Sequence, residues 1–592
     1  MQEGSARKRI LGYTTKLTVR PGEHIEFKVS VIGSAPYAAK LVRLINGDVY
    51  SKSADFKEIE VESQIDGVYP GREQSIVMGS CIVVEQVGAI EELEQFTIVV
   101  NFMPTMPLAG PQHLISRRDF RSTSGWSLQI DGNGRLSFIA TDSQGVTFSL
   151  AIGESLTRKK WYAAALRLCW RSKSVRLECR PIGAELYKRD MSLGSAIFEE
   201  LGGRPRCPCP LLMAAAFGGY DGSGRVIPAE CFDGRLEAPV IYNGCLSDEE
   251  LYRVVSGERP PHLSRRLIAD WDFSDGIGGA QIKDCSVNEL NGYIHNLPLR
   301  AVKSSRWNGC TMEWRHEPRQ YAAIHFHRDD LYDCGWLTDI CYSVPLHLRS
   351  GIYALRLRVC TTDDSIPSEE YLPFFVAARE GAPQAKVAVM IPTHTYLAYA
   401  NIRGFEEGRK KLGLSMEEYY TPPMMGPGMM EYALLSEAHP ELGGSLYDHH
   451  LDGSPVHFSS CLRPILNVRP KSMLWGLCAD LLLIDWLEAQ GFDYDVITDN
   501  LVQEEGYELL RHYPVLITGN HPEYSSTEQL NAMQSYLAHG GHLMYLGGNG
   551  CYWRIATCST FPGVIEVRRG RAGTGMWQSE VEIGRASCRE RV

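Results

Sequence analysis

Val387-Ala-Val-Met-Ile391, Tyr494-Asp-Val-Ile-Thr498, Val515-Leu-Ile-Thr518 and Leu543-Met-Tyr-Leu546 are short continuous runs dominated by apolar residues, with no polar/apolar alternation. A strand covered on both faces needs apolar side chains at successive positions, so each run reads as a strand of a buried parallel sheet. Helix patterns lie between them: Ser472 to Gln490 with Gly491 as its stop, Gln503 to His512, and Gln529 to Ala538. Ser525 and Glu528 have the spacing of a capping box opening the last of these. Strand alternating with helix predicts a doubly wound α/β domain over residues 386–581.

Working back from there, the pattern becomes all-β. Residues 1–95 alternate in strand fashion, as in Lys16-Leu-Thr-Val19 and His24-Ile-Glu-Phe-Lys-Val-Ser-Val31 with Pro21-Gly22 between them, and predict a small Ig-like β domain. Residues 96–263 continue in short strands such as Trp126-Ser-Leu-Gln-Ile130 and Leu136-Ser-Phe-Ile-Ala140, parted by turns such as Asp131-Gly-Asn-Gly134. That spacing predicts a β-sandwich. Its last segment, Phe232-Asp-Gly-Arg-Leu-Glu-Ala-Pro-Val-Ile-Tyr-Asn-Gly244 before a short helix at Ser247 to Val255, resembles the concanavalin-like or laminin-G-like sandwich. Residues 264–385 read as a β connecting unit, packed on the first domain. The end of the chain, 582–592, looks like translated adapter oligonucleotide and is set aside, which implies a natural chain that continues beyond about Val581.

A chain of 592 residues needs several cores. Its net charge of −11 argues against a phosphate-backbone partner. The start lacks a signal-peptide core and no run of about 18 apolar residues follows, so the expectation is a soluble cytoplasmic protein. The 17 cysteines are scattered and contain no C-x-x-C pair, which makes a disulfide framework improbable. Cys207 and Cys209 read as a solvated loop, since two thiolates alone cannot close a zinc site.

In an open α/β sheet, ligands bind beyond the carboxyl ends of the strands. The clusters there are Thr393-His-Thr-Tyr396 with Tyr399 and Asn401, Thr498-Asp-Asn500, Asn520-His-Pro-Glu-Tyr524, and Gly547-Gly-Asn-Gly550. His521-Pro-Glu523 with Cys551 imitates the catalytic set of class I glutamine amidotransferases, but in that family the cysteine precedes the histidine. Cys551 is therefore read as a packing residue. The stretch 404–470 is too long for a plain loop; within it Ser445-Leu-Tyr-Asp-His-His-Leu-Asp-Gly-Ser454 concentrates potential ligands, whose simplest use is in turn and capping bonds. His325-Phe-His327-Arg-Asp329-Asp330 has a bidentate metal spacing on a strand, without the further histidines a binuclear site needs, and reads as structural.

Taken together, Thr395-Tyr-Leu-Ala-Tyr-Ala-Asn401, the Ser445–Ser454 segment, Trp486-Leu-Glu488 with Tyr494-Asp-Val-Ile-Thr-Asp499, Gly519-Asn-His-Pro-Glu-Tyr524 and Tyr545-Leu-Gly-Gly-Asn-Gly-Cys-Tyr-Trp553 resemble the large subunit of N,N-dimethylformamidase. The resemblance implies an α/β domain of the class I glutamine-amidotransferase-like fold. It also implies hydrolysis of an N-substituted formamide to formate and an amine at a mononuclear ferric ion held by two tyrosines and a glutamate. By motif, the ligands fall on Tyr399, Tyr447 and Glu523, with Tyr396 as the alternative to Tyr399. His521 and Asn549 match the residues on the open side of the metal. A small subunit is the implied partner, and an acidic proton-transfer residue is implied beyond this chain, so low or absent activity is expected of the chain alone. Two phenolates and a carboxylate suit a hard trivalent cation, whose three charges they neutralise. Met424, Met425, Met429 and Met430 suggest an apolar wall for N-alkyl groups. The competing expectation is a carbohydrate- or surface-binding β protein with an inert α/β domain.

Overall fold

The computed structural model describes residues 7–51, 55–183, 191–311, 313–360, 369–383, 385–403, 413, 415 and 428–568. Met424, Met425 and the segment 582–592 lie outside the described residues. The chain divides into two compact units, Val77–Leu331 and Met1–Ile76 with Tyr332–Val592. Strands dominate and helices are few. Among the described residues no helix is long and apolar enough to cross a membrane.

The Val77–Leu331 unit is a sandwich of two eight-stranded sheets, one centred on the strands Gln112–Arg118 and Leu211–Met213, the other on Gln95–Pro104 and Gly234–Asn243. Aromatic rings cross the gap between them, with Phe96 against Trp126 at 5.4 Å. The helix Asp248–Val255 carries the full capping box of Ser247 and Glu250 and buries Leu251 and Val254 on the outer face of one sheet, beside Val99 and Tyr242. Strands on both sides of the expected boundary at 263 share a sheet: Gly234–Asn243 pairs with Ala323–Phe326. Strand Cys81–Val84, upstream of residue 96, lies in the other sheet. Cys207 and Cys209, expected in a solvated loop, are instead buried with Cys81, Leu212 and Cys231 and are joined to each other. The rings of His325 and His327 lie 4.2 Å apart, and His327 Nδ1 lies 3.2 Å from Asp330 Oδ1.

In the other unit, period-2 alternation supplies two cores from one sheet. The strands Tyr37–Asn46, Gly351–Val359 and Glu369–Val376 are neighbours in a mixed sheet. Tyr37, Leu41, Tyr353, Leu355 and Phe374 face the three-stranded sheet of Ile10–Thr14, His24–Val31 and Ile340–Ser343. Val42, Leu44, Ile352 and Phe375 face the opposite way, onto the helix Leu477–Ala489 and the strands Val387–Ile391 and Asp495–Thr498. That helix presents Leu477, Leu481, Ile484 and Leu487 to this core, the spacing of one helical face.

The parallel sheet has the order Asp495–Thr498, Val387–Ile391, Val515–Thr518, His542–Met544. The first strand in sequence is thus central, and the order reverses between Val387–Ile391 and Val515–Thr518. Three local expectations change. Gly506, at φ 65°, breaks the Gln503–His512 pattern into helices Asp499–Glu505 and Tyr507–Leu510. The helix Thr527–Ala538 is capped by Ser526, whose side chain accepts from Gln529 N, and not by Ser525. Among the described residues His542–Met544 is the edge of this sheet, and Met544, with Tyr545 and Leu546 just beyond the strand, is exposed where a covered strand was expected.

Leu481 sits where helix, mixed sheet and parallel sheet meet. Leu481→Ala is expected to lower the stability of this unit by about 2–5 kcal/mol, read as a reduced urea midpoint, whereas truncating exposed Leu482 should leave the stability within about 0.5 kcal/mol of wild type.

Candidate functional site

The reversal of strand order places the loops after Ile391 and after Thr518 side by side, and the cluster forms there. The helix Thr393–Ala398 is short and wholly buried. Tyr399 is its C-cap, with φ −100° and ψ 5°, so the chain leaves the helix there and its phenol swings away from that of Tyr396. The outgoing chain is held by Asn467, whose Nδ2 donates to Tyr399 O at 2.8 Å and whose Oδ1 accepts from Asn401 N. Across the gap, Thr395 Oγ1 accepts from Glu523 N at 3.1 Å and from Tyr524 N at 3.3 Å. One hydroxyl therefore clasps the two loops together.

Tyr447 arrives from the long insertion. Ser445 Oγ accepts from its backbone N–H, and Asp448 Oδ2 accepts from Ser445 N and Oγ. The aspartates of this segment do serve turns: Asp452 likewise accepts from Ser454.

The result is a convergence of oxygens on one carboxylate. Tyr399 Oη donates to Glu523 Oε2 at 2.8 Å and Tyr447 Oη to Glu523 Oε1 at 3.3 Å. The two phenol rings stack at 4.4 Å. His521 Nε2 lies 3.5 Å from Glu523 Oε2. Glu523 is buried and the tyrosines and His521 half-buried. Burial, then the neighbouring Tyr447 and Glu523, holds the Tyr399 hydroxyl far above its ordinary pKa, so its proton stays on and bonds the carboxylate.

Of the residues picked from sequence, Tyr399, Tyr447, Glu523 and His521 come together. Tyr396 does not: its hydroxyl donates to Asp480 Oδ2 and its ring lies in the core beside Phe375. Asn549 is exposed at φ 39° in the loop that wraps the His521–Glu523 segment. Gly548 N donates to Asn520 O, and a Cβ on Gly548 would stand 3.3 Å from the His521 ring, while one on Gly547 would stand 2.8 Å from Asn520 O, so it is at Gly547 that the close passage of this loop requires a glycine. Cys551, expected in a packed position, is exposed.

Three contributors went unrecognised in the sequence. Trp475 packs 4.6 Å from Tyr399 and 5.9 Å from His521. Tyr524 donates to Tyr447 Oη at 2.6 Å. Asp480 Oδ1 accepts from Asn520 N at 2.6 Å, which ties the loop bearing His521 to the helix Leu477–Ala489. Asp480 had a signal: it is a carboxylate on the same helical face as Leu477, Leu481 and Ile484, the stripe that turns to the core.

The family model for the C-terminal part of N,N-dimethylformamidase beta subunit-like proteins matches residues 299–588. The N,N-dimethylformamidase beta subunit of Paracoccus aminophilus is 36% identical over 592 residues, covering 96% of this chain and 75% of that protein. This chain belongs to the N,N-dimethylformamidase beta subunit family. A second member, from Alcaligenes sp, is 34% identical with the same coverage. Both relatives are named as beta subunits, which implies a partner subunit. Among solved structures, the CBM40 of the Ruminococcus gnavus IT-sialidase matches 31% of this chain and 95% of its own at 19% identity, with a TM-score of 0.24, too low to carry an argument.

Two measurements test the buried frame. Asp480→Ala removes the acceptor of both Asn520 N and Tyr396 Oη and is expected to cost about 3 kcal/mol or more while loosening the His521 loop, seen as faster amide exchange at 519–523; unchanged exchange there would refute the tie. Burial pushes Asp499 up to about 8 from 3.8. The folded state thus keeps a proton that the unfolded chain releases, and this group's contribution, full below about pH 4, is lost as pH rises towards 8. Asp499→Asn should flatten the fall in melting temperature between about pH 5 and 8, a difference on the order of a few kcal/mol; equal slopes for the two proteins would contradict it.

Proposed function

We propose that this chain is the metal-bearing subunit of an amidohydrolase that cleaves N-substituted formamides, of the N,N-dimethylformamide kind, to formate and an amine. The observation that carries the proposal is the meeting of Tyr399 and Tyr447 on the carboxylate of Glu523, with His521 beside it. Family membership supports the reaction class. The class I glutamine-amidotransferase-like fold for the parallel-sheet region and the laminin-G-like character of the sandwich belong to the same reading.

The donor set suits a ferric ion. Two phenols and a carboxylate, all oxygen, lie within hydrogen-bonding reach of one another; once the phenols are deprotonated they carry three negative charges, which a hard trivalent cation matches and a soft divalent one does not. Tyr399, Tyr447 and Glu523 would hold the ion, which when bound supplies Lewis-acid polarisation of the formyl oxygen and acidifies water.

The remaining work falls to the chain. Hydrolysis places water's hydroxyl on the formyl carbon and its proton on the leaving nitrogen, and His521, at the half-buried edge of the cluster, carries that proton. Asn549 offers an amide N–H to the oxygen on which negative charge develops. Trp475, packed on Tyr399 and standing beside His521, limits water at the cluster. A small subunit completes the enzyme.

The test is co-expression of this chain with its small subunit, followed by iron analysis, visible absorption and formate release. Near-stoichiometric iron with a phenolate-to-iron band is expected. Tyr447→Phe and Glu523→Gln should abolish the band, while His521→Ala should keep it and lower kcat by about 100-fold or more. A folded, colourless, iron-free protein without formate release would sink the proposal and favour a surface-binding role.

A further inference from the structure

Tyr524 directly follows Glu523, is fully buried, and begins the two-residue strand Tyr524–Ser525 that pairs with Trp553–Arg554. Its hydroxyl donates to Tyr447 Oη at 2.6 Å, and Tyr447 in turn donates to Glu523 Oε1. Its ring meets that of Tyr399 edge-on at 6.2 Å. The hydrolytic scheme above leaves this third phenol without a task.

We infer that Tyr524 is a positioning residue for the oxygen site: a built-in hydrogen-bond donor to the Tyr447 oxygen that orients this ligand and weakens its electron donation to a bound cation. The inference rests on the ferric-site reading. When Tyr447 yields its proton to a cation, its bond to Glu523 is lost, but its oxygen keeps the lone pairs that Tyr524 already addresses. The surviving contact then becomes charge-assisted and stronger. It draws electron density from the Tyr447 oxygen, and a cation that receives less from its ligand polarises a formyl oxygen more. It also leaves that oxygen one fewer lone pair to offer, which fixes the direction of coordination.

The backbone supports the same role. Tyr524 N and Glu523 N share the Thr395 Oγ1 acceptor, and Trp553 N and Tyr552 N both donate to Glu523 O. Glu523 and the donor Tyr524 are therefore neighbours on one clamped segment, which fixes their separation. Tyr524 addresses Tyr447 by hydrogen bond and Tyr399 only by its ring edge, so the two phenols are inequivalent.

Tyr524→Phe removes only the hydroxyl. In the co-expressed, iron-loaded enzyme it should move the phenolate-to-iron band to longer wavelength and lower kcat by about ten-fold with KM little changed, because the Tyr447 phenolate becomes the stronger donor, and it should weaken ferric binding by about ten-fold, because that phenolate is no longer oriented and stabilised. The melting curve of the metal-free variant checks that the fold is kept. Resonance Raman of the unmodified enzyme in H2O and D2O gives a second reading that needs no variant: one phenolate vibration should shift on exchange and the other should not. An unshifted band and unchanged iron affinity in Tyr524→Phe, or Raman modes indifferent to D2O, overturn the assignment while leaving the ferric site standing. A wild-type enzyme without iron or a band overturns the ferric reading, and this inference with it.

Discussion

Thr395 Oγ1 accepts two backbone N–H groups, those of Glu523 and Tyr524, and the geometry of the oxygen cluster follows from that bifurcated contact. The reversal of strand order brings the loops after Val387–Ile391 and Val515–Thr518 together, but proximity alone does not set a carboxylate to a fraction of an ångström. A buried hydroxyl accepting from two consecutive amides does, together with the bond from Glu523 N to His521 O at 2.9 Å, because the segment cannot turn without giving up these bonds. Glu523 is thereby fixed relative to the helix that delivers Tyr399. Asp480 adds a second tie at Asn520 N, and the glycines at 547 and 548 let the following loop close over the same segment.

That clamped loop needs a rigid floor, and the mixed sheet provides it. Strands Tyr37–Asn46 and Gly351–Val359 bury both faces, one against a small β-sheet and the other against the helix Leu477–Ala489. The helix is held by Leu477, Leu481, Ile484 and Leu487 while offering Asp480 to the loop. An early strand of the chain thus supports, through packing, an oxygen cluster far downstream in sequence.

Much of the frame was legible in the sequence, and the misses share a physical origin. Continuous apolar runs identified the parallel strands because a doubly covered strand leaves little freedom of composition. The last run differs, because among the described residues Met544, Tyr545 and Leu546 are apolar yet exposed, on or just beyond the edge strand; composition reports what a strand tolerates, not what covers it. Pairing partners such as Gly234–Asn243 with Ala323–Phe326 are far apart in sequence, and no local pattern encodes them. The cluster residues were legible by motif, whereas the choice between Tyr396 and Tyr399 was not. The helix ends at Ala398 because Asn467 captures the next turn, a tertiary event that sends one phenol to Asp480 and the other to Glu523.

The split between those two tyrosines also explains why the cluster can be stable without a cation. Each of the four phenols has a carboxylate or another phenol to donate to: Tyr396 to Asp480, Tyr399 and Tyr447 to Glu523, and Tyr524 to Tyr447. The protons of Tyr399 and Tyr447 therefore lie between the oxygens of the cluster, whose polar groups are satisfied by one another. Such a cluster need not collapse or gather water, because its buried hydroxyls and carboxylates already have partners.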